Sequence, residues 1–151
     1  MTAFVLLLMI APSAGACPPA ADQPIQVKIL VVLATDKDAV INELIKEIAA
    51  VAREKDPKLT GFALAKTFSE SIKMGGSKSF NVIEKAKCEV TVNAKTDDEG
   101  RVTLTVKPPK VDQITYSCTC GKFLPILTDY YTADKKRLII AIMARPCKMP
   151  K

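Results

Sequence analysis

Ten consecutive residues, Ile25 to Ala34 (IQVKILVVLA), set the first constraint on the fold, because they are β-branched in large part and almost continuously apolar. A strand with one face in water alternates polar and apolar side chains. A run that lacks this alternation needs cover on both faces. The segment is therefore expected as a central strand. A second strongly apolar strand is expected at Leu138 to Met143 (LIIAIM), near the other end of the chain. The 151 residues suffice for one ordinary domain.

Thr35-Asp36-Lys37-Asp38 offers N-cap candidates after the first strand, and the period then changes to that of a helix. Val40, Ile41, Leu44, Ile45, Ile48, Val51 and Ala52 fall within one arc roughly 140° wide, with Asn42, Glu43, Lys46, Glu47 and Arg53 opposite. Lys55-Asp56-Pro57 ends the helix, since a residue before proline is biased away from helical geometry. Such a helix is expected to lie across a sheet.

From Leu59 the period becomes two. Phe62, Leu64 and Phe68 alternate with smaller or polar neighbours, and Gly75-Gly76-Ser77 reads as a hairpin turn towards Phe80 and Val82. Cys88, Val90, Val92 and Ala94 then share one face of a strand. Val102, Leu104 and Val106 mirror them across Thr96-Asp97-Asp98-Glu99-Gly100. Pro108-Pro109 stops the second of these strands. Ile114, Tyr116, Cys118 and Cys120 alternate again, and Phe123 to Leu127 with Tyr130-Tyr131 lead into the last apolar strand. The expected class is α+β: a mostly antiparallel sheet or sandwich of about seven strands with one amphipathic helix packed on a face.

Residues 1–16 carry no charged side chain, and their apolar run from Phe4 to Ala11 has the length of a signal-peptide core. Ala14-Gly15-Ala16 supplies a small-x-small cleavage pattern. The expected organisation is a signal peptide over 1–16, a proline-rich leader over 17–24, a single domain over 25–147 and a basic tail over 148–151. Export to the cell envelope or beyond follows as an expectation. Cys17 stands directly after the cleavage pattern, in a loose version of a lipoprotein box that lacks the usual Leu. It is either acylated, as a membrane tether, or a free thiol.

Setting Cys17 aside leaves Cys88, Cys118, Cys120 and Cys147, an even set that suits an oxidising compartment and is expected to form disulfides in one of three pairings. Zinc is disfavoured because no C-x2-C pair is present, and a redox site because the close pair is Cys-x-Cys. Asp97, Asp98 and Glu99 lack the alternate spacing of a calcium loop. No metal and no cofactor are expected.

The absence of histidine excludes any histidine base or ligand, and Ser77-Lys78 and Ser71-Ile72-Lys73 sit in strand-like or turn-like contexts. No catalytic residue is assigned, and a non-catalytic binding or structural domain is expected; a carboxylate-based hydrolase is the rival. The net charge of +6 is uneven, with six bases against seven acids over 17–60 and sixteen against nine over 61–151. Lys122, Tyr130, Tyr131, Lys135, Lys136 and Arg137 form the candidate anion-binding patch. The expected partner is a protein or an anionic envelope polymer. No nucleic acid is expected, since few aromatics are available to stack bases.

Cys88 to Lys107 (CEVTVNAKTDDEGRVTLTVK), followed by Tyr131 to Ile142 (YTADKKRLIIAI), is similar to the C-terminal β-domain of bacterial secretins, outer-membrane channel proteins. Ile25 to Ala34 and the helix after it resemble that domain's opening strand and helix, so the similarity covers most of the chain after the leader. It implies the same sheet in a small secreted relative without a pore, or a subunit that oligomerises through its sheet. Ala144-Arg145-Pro146-Cys147 stands where secretins carry Gly-Gly, no counterpart of that family's preceding periplasmic domains is expected, and cysteines are unusual in that family. No functional residue is carried over.

Overall fold

Along β1 (Ile25–Thr35) the side chains sort into two buried sets. Ile25, Val27, Ile29 and Val31 enter one core, while Leu30, Val32 and Ala34 enter another on the opposite face. The same division operates in β8 (Arg137–Arg145): Leu138, Ile140 and Ile142 turn one way, Ile139 and Ala141 the other. This is why the two runs lack polar alternation. The computed structural model describes residues 24–37, 41–119 and 121–147. The signal-like segment 1–16, Cys17, most of the leader, Asp38, Val40, Cys120 and the tail 148–151 lie outside the described residues.

Among the described residues, eight strands form two four-stranded sheets, each antiparallel throughout. In the first, β1 and β8 are central, β2 (Gly61–Ile72) is one edge and β7 (Leu124–Tyr131) the other. The second runs β3 (Ser77–Ile83), β4 (Ala86–Val92), β5 (Thr103–Lys107) and β6 (Ile114–Ser117) in chain order. The inner faces meet in one core, where Ile29, Val31 and Ile140 pack with Phe80, Val90, Leu104 and Val106. On the far side of the first sheet a 3-10 turn (Glu43–Ile45) continues into α1 (Lys46–Lys55). Ile45, Ile48, Ala49 and Ala52 close the second core there with Leu59 and Phe62. The layers are helix, sheet, sheet.

The expected class holds at the level of a mostly antiparallel β-fold with one helix, and the strand count is eight instead of about seven. The additional element is β7, which joins Phe123–Leu127 and Tyr130-Tyr131 into one strand. Pro125 is tolerated inside it because β7 is an edge strand.

Three local expectations are corrected. Gly75-Gly76 is not a hairpin turn; it carries the chain from the first sheet to the second, since β2 and β3 belong to different sheets. Gly75 takes φ +81°, which glycine adopts without strain, and its N–H donates to the Val92 carbonyl. The helix begins later than Thr35–Asp38: Asn42 Oδ1 accepts from Leu44 N at 3.0 Å and caps the 3-10 turn. With that first turn wound at three residues per turn, Leu44 faces solvent and is 77% exposed instead of joining the apolar arc. Finally, β4 ends at Val92, and Ala94 is exposed.

Candidate binding cleft

The late start of the helix leaves Leu44 at the surface, beside a cleft. Between the 3-10 turn and α1 on one side, and the entry to β7 on the other, lies a cleft of about 670 Å³. Leu44, Ile48 and Val51 form its helical wall, with Phe123 and Pro125 across from them. Ile48 is buried and Val51 and Phe123 are half-buried, whereas Leu44 stands out at the mouth. Phe123 also packs against the helix-side core, so this wall rests on the fold's interior.

Charge is arranged around the apolar lining. Glu43 and Glu47 are four residues apart and both exposed, so they project from the same side of the helical segment. Like charges at that spacing repel modestly, on the order of a few tenths of a kcal/mol. Neither takes part in an ion pair among the described residues. Lys122 lines the cleft near Phe123. The surface thus offers apolar contact with two carboxylates and one lysine beside it, all unpaired among the described residues.

The six residues of the expected anion-binding patch do not assemble. Lys122 precedes β7 and Tyr130-Tyr131 end it, a separation of about 25 Å at roughly 3.3 Å per residue. Arg137 is committed inward: its Nε donates to the Thr128 carbonyl at 2.8 Å and its Nη1 to Asp56 Oδ2 at 2.9 Å. The Tyr130 hydroxyl donates to Glu84 Oε2 at 2.6 Å, and Ala133 N donates to Glu84 Oε1 at 3.1 Å. These bonds hold the Glu84 carboxyl below the usual range, and the Glu84 bond raises the Tyr130 hydroxyl. They tie the β3–β4 turn to the β7–β8 hairpin. Lys135, at φ +62° in that hairpin, and Lys136 remain near Tyr131, which is 56% exposed.

The four-cysteine framework is also corrected. Cys88 and Cys118 are free, buried thiols, while Cys147 is disulfide-bonded. Register explains why the first two do not join. Glu89, next to Cys88, pairs with Lys107, whereas Cys118 N donates to the Val102 carbonyl, five positions further along the same chain segment. That offset is about 17 Å, and a disulfide needs Cα atoms within roughly 7 Å. Burial pushes the Cys88 thiol up to about 12, with the Glu89 charge adding, and burial takes Cys118 to about 11. Neither is a nucleophile at neutral pH.

The acidic loop closes on itself. Asp97 Oδ1 accepts from the backbone of Glu99 and Arg101, and Arg101 Nε lies 2.8 Å from Oδ2. Burial pushes this carboxyl upwards, but hydrogen bonds from Arg101, Ser117 and Glu99 outweigh it and bring it down to about 2. Lys78 pairs with Glu70 at 2.6 Å and the Ser77 hydroxyl bonds Thr91, so neither is set against the other as nucleophile and base. Among the described residues, no group of three or more His, Cys, Asp or Glu side chains could hold a metal ion. No helix there is long and apolar enough to cross a membrane.

Sequence reasoning missed the cleft because Leu44 belongs to the helical period and was assigned to the core. The one available signal was Asn42 followed by an acid at Glu43, an alternative start for the helix. Compared with protein-family models, with curated proteins and with solved structures, the chain matches none.

Proposed function

We propose that this is a non-catalytic binding domain of the cell envelope or exterior, which holds a segment of a protein partner in the cleft between α1 and β7. The observation that carries this reading is Leu44, a large apolar side chain left 77% exposed at the mouth of a cleft lined by Ile48, Val51 and Phe123. Covering apolar surface contributes roughly 25 cal/mol per Å². The partner segment is one that presents a large apolar side chain flanked by Lys or Arg, because, among the described residues, the two unpaired carboxylates Glu43 and Glu47 outnumber the one unpaired cation of the lining, Lys122. Export is supported by the signal-like sequence of residues 1–16.

Selection of a random peptide library on the folded protein tests the reading, with Leu44→Asp as the counter-selection. The expected winners carry a large apolar residue next to a base and lose binding on Leu44→Asp, whose circular dichroism is unchanged because the side chain is at the surface. Winners that bind Leu44→Asp equally, or no enrichment at all, overturn it.

A further inference from the structure

The helix covers only part of the outer face of the first sheet. Beyond it, Gln26, Lys28, Ser69, Met143 and Arg145 line an open trough of about 320 Å³. Its composition follows from register. On β1, Gln26 pairs with Arg145 and Lys28 with Met143 on β8, while Lys28 pairs with Ser69 on β2. These positions have the same parity as Leu30 and Val32, so they point to the helix side of the sheet. Lys28 and Arg145 are therefore diagonal neighbours across two strands, a spacing of roughly 7–8 Å at the backbone that long side chains span.

Register sets two cations of this trough beside a hydrogen-bonded polar pair. Neither cation has a carboxylate partner among the described residues, which is also true of most lysines here, Lys78 being paired. The two like charges stand at diagonal positions on adjacent central strands, and an anion between them would offset their repulsion. Beside them, Gln26 Nε2 donates to Ser69 Oγ at 3.1 Å. That bond leaves the Gln26 carbonyl as an acceptor and the Ser69 hydroxyl as a donor. A bare oxyanion accepts hydrogen bonds and cannot use the Gln26 carbonyl; a ligand that also carries hydroxyl groups can use both. Met143, half-buried in the trough, offers an apolar surface.

We propose that this trough binds an acidic sugar, a single ring that carries a carboxylate or sulfate. Lys28 and Arg145 hold the anionic group, Gln26 and Ser69 pair with ring hydroxyls, and Met143 receives the C–H face of the ring. The volume stands at the lower end of the roughly 300–1,000 Å³ of ligand clefts, which suits one ring. This site lies outside the helix cleft and does not depend on it.

The test is an NMR titration of the full chain with glucuronate, glucose 6-sulfate, glucose and inorganic sulfate. Backbone shifts at Lys28, Ser69 and Arg145 are followed in the native protein and in the Lys28→Gln, Arg145→Gln and Lys107→Gln variants. The expected result is saturable binding of both acidic sugars, about tenfold or more tighter than glucose or sulfate. Lys28→Gln and Arg145→Gln should each weaken it about fivefold or more, and Lys107→Gln should leave it unchanged. All three substitutions are at exposed positions, and the unperturbed remainder of each spectrum reports that the fold is kept. Sulfate binding as tightly as the acidic sugars, equal affinity in Arg145→Gln, or no saturable shift overturns the proposal.

Discussion

Arg137 Nη1 lies 2.9 Å from Asp56 Oδ2, joining the start of β8 to the residue that caps the C-terminal end of α1. The two side chains are 15% and 25% exposed, and Arg137 Nε also donates to the Thr128 carbonyl. Arg137→Ala is expected to lower stability by about 2–3 kcal/mol, because it removes the charge partner of the partly buried Asp56 carboxylate and the side-chain donor to the Thr128 carbonyl. Asp129, whose contact is 3.5 Å and whose side chain is 79% exposed, should matter little: Asp129→Asn is expected within about 0.5 kcal/mol of the native protein. Urea denaturation of the two variants checks the ranking. Equal losses would mean that the surface charge, not the link to the helix, is what Arg137 serves.

Asp97 gives the loop between β4 and β5 a defined response to acid. Its carboxyl is brought down to about 2 in the folded protein, below the roughly 3.9 of an unfolded chain. The stabilisation it supplies is therefore complete above about pH 4 and is lost as pH falls through about 2. Asp97→Asn should melt at a lower temperature than the native protein at pH 7, and the difference should close towards pH 2. A difference that persists at pH 2 would place the effect in something other than the charge.

Cys88 and Cys118 are expected to resist iodoacetamide in the native state at pH 8 and to react fully in denaturant without reductant. Peptide mapping by mass spectrometry reads each site separately. Recovery of a Cys88–Cys118 bridged peptide would contradict the register that keeps them apart, and a bridge from either to another cysteine would contradict their free state.

The hydroxyl of Tyr116 is buried with no hydrogen-bond partner among the described residues. Burial is the main reason its ionisation is pushed upwards, with the nearby thiols adding. Removing an unpaired buried hydroxyl while keeping the ring should be neutral or stabilising, up to roughly 1 kcal/mol. Tyr116→Phe, measured by urea denaturation, checks this; a loss of 1 kcal/mol or more would show that the hydroxyl has a partner.

What the sequence disclosed was what period alone determines. Ile25–Ala34 announced cover on both faces, and the structure supplies it with a helix on one side and a second sheet on the other. Val90 opposite Val106 and Val92 opposite Leu104 were legible as a hairpin from alternation. What escaped depends on contacts distant in sequence. Nothing near Gly75 says that β3 leaves the sheet of β2, and nothing near Arg137 reveals that Asp56, 81 residues away, takes its charge. Cysteine parity suggested bridges, but register along β4 and β5 decides which sulfur atoms can meet, and parity carries no information about register. Leu44 was misplaced by a few tens of degrees of helical phase, because a 3-10 turn precedes α1. That small rotation separates a core leucine from one at the mouth of a cleft.

The central claim, that the cleft between α1 and β7 receives a partner segment, is tested most directly by mapping where such a segment binds. A ¹⁵N-labelled sample titrated with a library-selected peptide should show its largest shifts at Leu44, Glu47, Val51 and Phe123, with β3 to β6 unmoved. Shifts concentrated on β3 to β6, or spread evenly over the domain, would contradict it.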